Sequence, residues 1–200
     1  MDEKRLQKQF DFIREIDKEK QIIRQTYISD ASRKEDDAEH AWHLAMMAML
    51  LGEYSNEELS CEKTICMCLV HDLVEVYAGD TYAYDEVGNA SKREREVAAA
   101  DKLFGMLPED QAAYMRGLWD EFEEAKTPEA RFAHTLDKIQ PLMLNHETKG
   151  LAWKEHGIRA SQVYKRNEHT ADGSEALWKY SDEHFIKPNI GGALADDRDL

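Results

Sequence analysis

The stretch VHDLVEVYAGDT, residues 70–81, contains one histidine and three acidic side chains within an otherwise apolar run. They are His71, Asp72, Glu75 and Asp80. Burying ionisable groups is costly unless they are paired, neutralised or bound to a metal. The stretch therefore indicates either a buried ion pair or a metal site with catalytic carboxylates beside it.

Apolar residues recur at helical spacing around this stretch, which predicts a helix from about residue 57 to residue 77 that Gly79 ends. On such a helix His71 and Asp72 share one broad face with Glu75, and that face can bind a cation. The same periodicity predicts an all-α chain with further helices over about residues 3–25, 38–54, 91–107, 108–124, 128–146, 161–169 and 175–185, and a loop over residues 81–90. Thr127 and Pro128 indicate an N-cap followed by proline at the first position of the helix over 128–146.

The composition limits the size and the partners of the domain. With 200 residues, 42% of them hydrophobic, the chain is long enough for one compact core and too short for two ordinary ones. We predict a single domain over residues 1–190 and a flexible tail over residues 191–200. An export signal and a membrane span are not visible, so we expect a cytoplasmic protein.

The charge balance argues against binding to DNA or RNA. The chain has 41 acidic and 26 basic side chains, which give a formal net charge of -15. Nucleic-acid polymers bind mainly to lysine and arginine side chains that neutralise their phosphates. A small phosphorylated molecule is still a suitable ligand, because a metal ion and one or two arginines can bind a phosphate whatever the global charge.

Two residues outside the opening stretch are candidates to complete a metal site. His40 lies at the start of the second predicted helix, and Asp137 lies among apolar residues of a later one. Imidazole and carboxylate ligands together suit a divalent transition metal. His43 and His134 lie one helical turn from these candidates, and we expect structural or supporting roles for them.

The ordered motifs resemble those of the metal-dependent HD-domain phosphohydrolases, an all-helical family. The chain is similar in particular to the branch of the bacterial 5'-deoxynucleotidases, in RKEDDAEH at residues 33–40, HDLVE at 71–75 and GD at 79–80. The runs LDKIQPLMLN and GLAWKEHGI also look like this branch, so the similarity extends over about residues 10–170. The resemblance implies a single-domain helical bundle that forms a homodimer.

The resemblance also implies a ligand set for one divalent transition metal, which would be Mn, Co, Fe, Ni or Zn. The implied ligands are His40, His71, Asp72 and Asp137. Such a metal can polarise a phosphoryl oxygen and lower the pKa of a water molecule. We therefore expect hydrolysis of a phosphate ester.

The remaining site residues follow from the same resemblance. Asp80 matches the acid that protonates the leaving oxygen, and Glu75 matches the one that positions or activates water. Arg24 falls near the phosphate-contacting arginine of the family, although Gln25 stands where the bacterial enzyme has tryptophan. Arg33 is a second candidate for binding the phosphate.

These residues predict a phosphomonoesterase that acts on (deoxy)nucleoside 5'-monophosphates. One alternative is another nucleotide phosphohydrolase, of the polyphosphate or alarmone type. Alarmone hydrolases have an aspartate directly after the HD-x-x-E run, where this chain has Val76. The other alternative is a metal-containing nucleotide-binding regulator, which would not need both Glu75 and Asp80.

Overall fold

The structure, a computed structural model, describes residues 1–84 and 91–198. The prediction of an all-α fold is confirmed, apart from one small hairpin. The helices are α1 (Glu3–Ile16), α2 (Asp37–Leu51), α3 (Cys61–Val70), α4 (Glu75–Ala78), α5 (Lys92–Phe104), α6 (Glu109–Glu124), α7 (Pro128–Glu147), α8 (Leu151–Glu155), α9 (Ala160–Arg166) and α10 (Glu175–Ser181). The strands of the hairpin are β1 (Ile23–Tyr27) and β2 (Lys34–Asp36). Among the described helices, none is both long enough and apolar enough to cross a membrane.

Helices α2, α3 and α7 pack against one another in the centre of the core. Leu44 of α2 and Leu136 of α7 are fully buried there. Removal of apolar surface of this kind from water is the main favourable contribution to folding. Because α2 carries His40, α3 leads into His71 and α7 carries Asp137, the same packing brings these three residues into one region.

Helix α7 begins where the sequence predicts a cap. The side chain of Thr127 accepts a hydrogen bond from the backbone nitrogen of Ala130, and Pro128 occupies the first helical position. Pro141 lies inside the helix, yet α7 continues to Glu147. The helix is therefore long enough to carry Asp137 through the centre of the domain.

The predicted helix over residues 3–25 is wrong after Ile16. Helix α1 ends at Ile16, a short 3-10 turn follows, and β1 pairs antiparallel with β2, with Ile23 opposite Asp36. The sequence of β1, IRQTY, contains β-branched and aromatic residues, which favour an extended chain that packs against a neighbour. Strand β1 packs on α7 and α8, and this packing favours a strand over a continued helix.

The predicted helix over residues 57–77 is interrupted at the HD pair. Helix α3 ends at Val70, a turn covers residues 71–74, and α4 begins at Glu75. The turn is held by a backbone hydrogen bond of 2.8 Å from the nitrogen of Glu75 to the carbonyl of Asp72. Neighbouring residues of a regular helix point in different directions, whereas this turn lets His71 and Asp72 face the same point. Gly79 follows α4 with a φ of 76°, which glycine adopts without strain.

The C-terminal segment contacts the rest of the domain in its described part. Leu194 is buried beside Trp153 and Val163, and the hydroxyl of Ser161 donates a 2.6 Å hydrogen bond to Asp197. Residues 199–200 lie outside the described chain, as do residues 85–90 of the predicted loop over 81–90. The flexibility of the tail stays a prediction.

Candidate metal centre

The position of His40 follows from the start of α2. The Asp36 side chain accepts a hydrogen bond from the backbone of Glu39, and the Glu39 side chain accepts one from the backbone of Asp36. This reciprocal cap fixes the first turn of the helix, where His40 is fully buried. The imidazole therefore enters the core at a defined place.

The protonation of His40 is determined by Gln140. The amide nitrogen of Gln140 donates to Glu35 at 2.7 Å, so its oxygen is the atom that accepts from His40 Nδ1, at 3.0 Å. Burial, together with the charge of Arg24, lowers the pKa of His40 to about 4. The ring is thus neutral at pH 7, and its Nε2 has a lone pair. This atom lies 3.1 Å from Asp137 Oδ1, and two acceptors so close repel each other unless a cation lies between them.

His71 has the same arrangement at the end of α3. Its Nδ1 donates to the carbonyl of Cys68 at 2.9 Å, and its buried Nε2 lies 3.0 Å from Asp72 Oδ2. Burial opposes a charge on the ring, but the carboxylates of Asp72 and Asp137 outweigh it and raise the pKa of His71 to about 9. The electrostatic potential at this Nε2 therefore attracts positive charge.

The structure brings all four predicted metal ligands together. One ligand atom from each of His40, His71 and Asp72 lies within 4.8 Å of the other two. Asp137 Oδ1 lies 3.1 Å from the Nε2 of His40 and 3.9 Å from that of His71. Two imidazole nitrogens and two carboxylates are a donor set that fits a divalent transition metal.

The two predicted catalytic acids line a cavity above these ligands. Burial, with the nearby Asp72 and Asp37 carboxylates, raises the pKa of Glu75 to about 11. Burial also raises the pKa of Asp80. Both residues line the same cavity as Asp72 and Asp137. They therefore lie where a reacting group beside the four ligands would be.

Asp37 is a buried acid of this region that sequence reasoning missed, because an acidic residue in the first turn of a helix is commonly explained by the helix dipole alone. Its carboxylate accepts a 3.3 Å hydrogen bond from Arg24. Burial and the charge of Asp72 raise the pKa of Asp37 to about 8. Its burial arises from contacts between α2 and segments distant in sequence, so the local pattern carried no signal for it.

Arg24 reaches the cavity from strand β1 of the hairpin. Its Nη1 donates to Asp72 Oδ2 at 3.0 Å and to Asp37 Oδ1 at 3.3 Å, and its Nε lies 3.4 Å from Glu35. Burial disfavours the charge of the guanidinium, but these carboxylates outweigh it and raise the pKa. Arg24 therefore stays charged beside the candidate ligands.

The structure does not bring Arg33 to this cavity. Its side chain is 53% exposed and forms a two-pronged ion pair with Glu39 on the surface. The side chain follows the turn of the hairpin, and the sequence spacing to His40 did not reveal that direction.

The two competing histidines have other partners. His43 Nδ1 accepts a 3.3 Å hydrogen bond from Gln140, so His43 contacts the residue that orients His40. His134 donates to the carbonyl of Phe122 at 2.7 Å, and its ring stacks on the Phe122 ring with centroids 4.0 Å apart. These contacts suit a supporting role for His43 and a structural role for His134.

Three cations that sequence reasoning did not select also line the cavity. Lys92 lies 3.3 Å from Glu96. Burial and the neighbouring Arg166 lower the pKa of Lys138, and Arg166 lies 3.8 Å from Asp137 Oδ2. Another part of the wall is apolar and aromatic, and consists of Tyr82, Tyr84, Pro141, Leu142 and Trp153. The cavity thus combines acids, cations and flat apolar surface.

The chain is similar to several known proteins. The model of the HD domain family matches residues 16–178. The chain is 28% identical to 5'-deoxynucleotidase HDDC2 of Homo sapiens, over 72% of this chain and 69% of the human protein. It is 32% identical to 5'-deoxynucleotidase HDDC2 of Danio rerio, over 60% of this chain and 58% of that protein. A crystal structure described as a predicted metal-dependent phosphohydrolase from Magnetospirillum magnetotacticum MS-1 is 47% identical, covers 96% of both chains and superposes with a TM-score of 0.90.

Proposed function

The chain belongs to the HD domain family, and from this membership we propose that it is a metal-dependent phosphomonoesterase acting on (deoxy)nucleoside 5'-monophosphates. The family match confirms the resemblance found in the motifs. The observation that carries the proposal is the convergence of two imidazoles and two carboxylates beside a cavity that Glu75 and Asp80 also line. The names of the human and zebrafish relatives support the substrate class.

The proposed ligands for the metal are His40, His71, Asp72 and Asp137. Both imidazoles use Nδ1 to donate to oxygen atoms, which leaves each Nε2 to coordinate a cation. This donor set supports Mn, Co, Fe, Ni or Zn as the bound ion. When bound, such an ion supplies positive charge to the phosphoryl oxygens and lowers the pKa of the attacking water.

The acids of the cavity carry the proton transfers. Asp80, whose pKa is raised by burial, donates a proton to the departing 5'-oxygen. Glu75 orients the attacking water through its carboxyl group. Arg24 bridges Asp72 and Asp37, and its positive charge stabilises the charge that develops on the phosphate. The products are a nucleoside and inorganic phosphate.

A phosphate-release screen tests the proposal. Purified protein is supplied with each metal in turn and incubated with nucleoside mono-, di-, tri- and tetraphosphates. We expect release from 5'-monophosphates, and we expect His71→Ala to lose both activity and bound metal. His169→Ala, at an exposed histidine on the surface, is the matched control and keeps both. No release from any nucleotide, with unchanged metal content in His71→Ala, would contradict the proposal, and release only from the longer phosphates would favour a polyphosphate hydrolase.

We also propose that two copies of the chain form a homodimer through α2. The outward face of this helix exposes four large apolar side chains at helical spacing, which are Trp42, Met46, Met49 and Leu50. None of them is charged, so two chains that each carry a net charge of -15 can meet there without placing like charges in contact. A cytoplasmic location, expected from the sequence, stays a prediction.

A further inference from the structure

The carboxylates around Arg24 limit the positive charge and the hydrogen-bond donors that it has for binding a phosphate. Its guanidinium already donates to Asp72 and Asp37 and lies 3.4 Å from Glu35. The positive charge is therefore largely compensated before any ligand arrives. A phosphate monoester carries close to two negative charges at neutral pH, so it needs further cations in the same cavity.

Arg166 and Lys138 are two such cations. Arg166 is the last residue of α9, Lys138 follows Asp137 on α7, and both side chains line the cavity. The Arg166 guanidinium lies 3.8 Å from Asp137 Oδ2, which is too far for a hydrogen bond. Within residues 1–84 and 91–198, neither side chain donates a hydrogen bond, and Lys138 forms no ion pair.

Arginines elsewhere on the surface are better satisfied. Arg5, for example, donates two hydrogen bonds to Asp110, at 2.7 and 2.8 Å, and Arg116 donates to Asp120 at 2.9 Å. The guanidinium of Arg166 has the same N–H donors, which can form hydrogen bonds to a carboxylate or a phosphate. Two neighbouring positive charges repel each other, and a bound anion between them removes that repulsion.

We propose that Arg166 and Lys138 bind the phosphate group that is hydrolysed. Arg166 donates to the non-bridging oxygens, and Lys138 adds a point charge beside them. The distance of Arg166 from Asp137 places the pair next to the candidate metal ligands, where the reacting phosphate belongs. This inference rests on the proposed function, because the anion it names is the phosphate of the nucleotide.

The test compares Arg166→Gln, Arg166→Lys and Lys138→Gln with the wild-type protein. Lys165→Gln is the matched control, since it removes the same charge from the neighbouring position of α9, which does not line the cavity. For the 5'-monophosphate that the wild type hydrolyses fastest, KM and the inhibition constant of inorganic phosphate are measured. We expect both to rise roughly tenfold or more in Arg166→Gln, because a charge-assisted hydrogen bond is lost. Lys138→Gln gives a smaller rise, Arg166→Lys recovers part of the affinity, and Lys165→Gln leaves both constants unchanged.

Titration calorimetry with inorganic phosphate separates this inference from the proposed function, because it requires no turnover. If the wild type hydrolyses no nucleotide, the proposed function fails, yet weaker phosphate binding by the metal-loaded Arg166→Gln and Lys138→Gln proteins still supports the pair. If the wild type is active and these variants bind phosphate as well as Lys165→Gln does, the inference is overturned and the function stands. The inference is also overturned if these variants lose affinity only for nucleoside diphosphates, because Arg166 and Lys138 would then bind a second phosphate group. Circular dichroism confirms that each variant is folded.

Discussion

Gln140 is an uncharged residue on which the candidate metal site depends. It is fully buried, accepts from His40 and donates to Glu35 and His43. Through this network it keeps the proton of His40 on Nδ1, so that Nε2 faces Asp137. A motif search for metal ligands does not select a glutamine, because its role lies in orienting a ligand.

We expect Gln140→Leu to weaken Mn binding by about 10- to 100-fold, the usual effect of removing a residue that orients a metal-binding histidine. Leucine cannot accept from His40 Nδ1, so the ring is free to rotate or to change its tautomer. Calorimetric titration of metal into the chelator-treated protein measures the affinity. Gln7→Leu, on the exposed face of α1, is the control and should bind Mn as the wild type does. Equal affinities for both variants would remove Gln140 from the site.

His134 makes the stability of the fold depend on pH. Burial lowers its pKa below the ordinary value of 6.5. The folded chain therefore favours the neutral ring, and the unfolded chain binds the proton first as the pH falls. This contribution to stability is fully present above pH 6.5 and is lost as the pH falls towards the lower pKa of the folded state.

We expect the unfolding free energy to fall less steeply with decreasing pH in His134→Gln than in the wild type. A single proton changes the slope by at most about 1.4 kcal/mol per pH unit. Urea denaturation between about pH 7.5 and 5.5, with a chelator present, measures the slopes. His169→Gln, at an exposed histidine, should keep the wild-type slope. The same slope in His134→Gln and the wild type would show that another group is responsible.

At the scale of elements, the start of α2 connects helix capping with metal binding. The cap between Asp36 and Glu39 satisfies backbone groups that would otherwise have no partner, and His40 follows directly. The hairpin ends at the same Asp36, so this residue joins the hairpin that carries Arg24 to the helix that carries His40. Loss of the Asp36 cap should therefore disturb the positions of both the arginine and the histidine.

We expect Asp36→Ala to lower the unfolding free energy by about 1 kcal/mol, the typical cost of losing such a cap. Metal affinity should fall as well, since the first turn of α2 frays around His40. Asp36→Asn keeps a side-chain oxygen that can accept from the backbone of Glu39, and it should retain both properties. Chemical denaturation and metal titration measure the two effects. If alanine and asparagine behave alike, the cap does not position His40.

At the scale of the whole molecule, the exposed face of α2 has no partner within the described chain. We expect the wild-type protein to elute with twice the mass of the chain in size-exclusion chromatography with light scattering. The double variant Met46→Glu, Met49→Glu should elute as a monomer, because paired carboxylates would be buried at the contact. Phe10→Glu, on the exposed face of α1, changes a similar apolar surface and should stay a dimer. A monomeric wild type would contradict the prediction.

The sequence alone predicted most of the local features of the fold. Helical periodicity and the Thr127 cap located α7 with Asp137 in its middle, and the order of His40, His71 and Asp72 indicated the family. These signals are local because the apolar period and the caps depend on residues within a few positions. The turn at residues 71–74 was missed because the apolar helical period continues through it, and strand β1 was missed because it packs on α7 and α8, which are distant in sequence.

The sequence by itself thus determined the helical class, the family and the candidate ligands. Only the tertiary structure decided which other residues share their cavity. It brought in Lys92, Lys138 and Arg166, which carry no recognisable motif, and it left Arg33 on the surface. The physical reason is that periodicity determines which face of an element is buried, whereas the lining of a cavity depends on how several elements, distant in sequence, pack together.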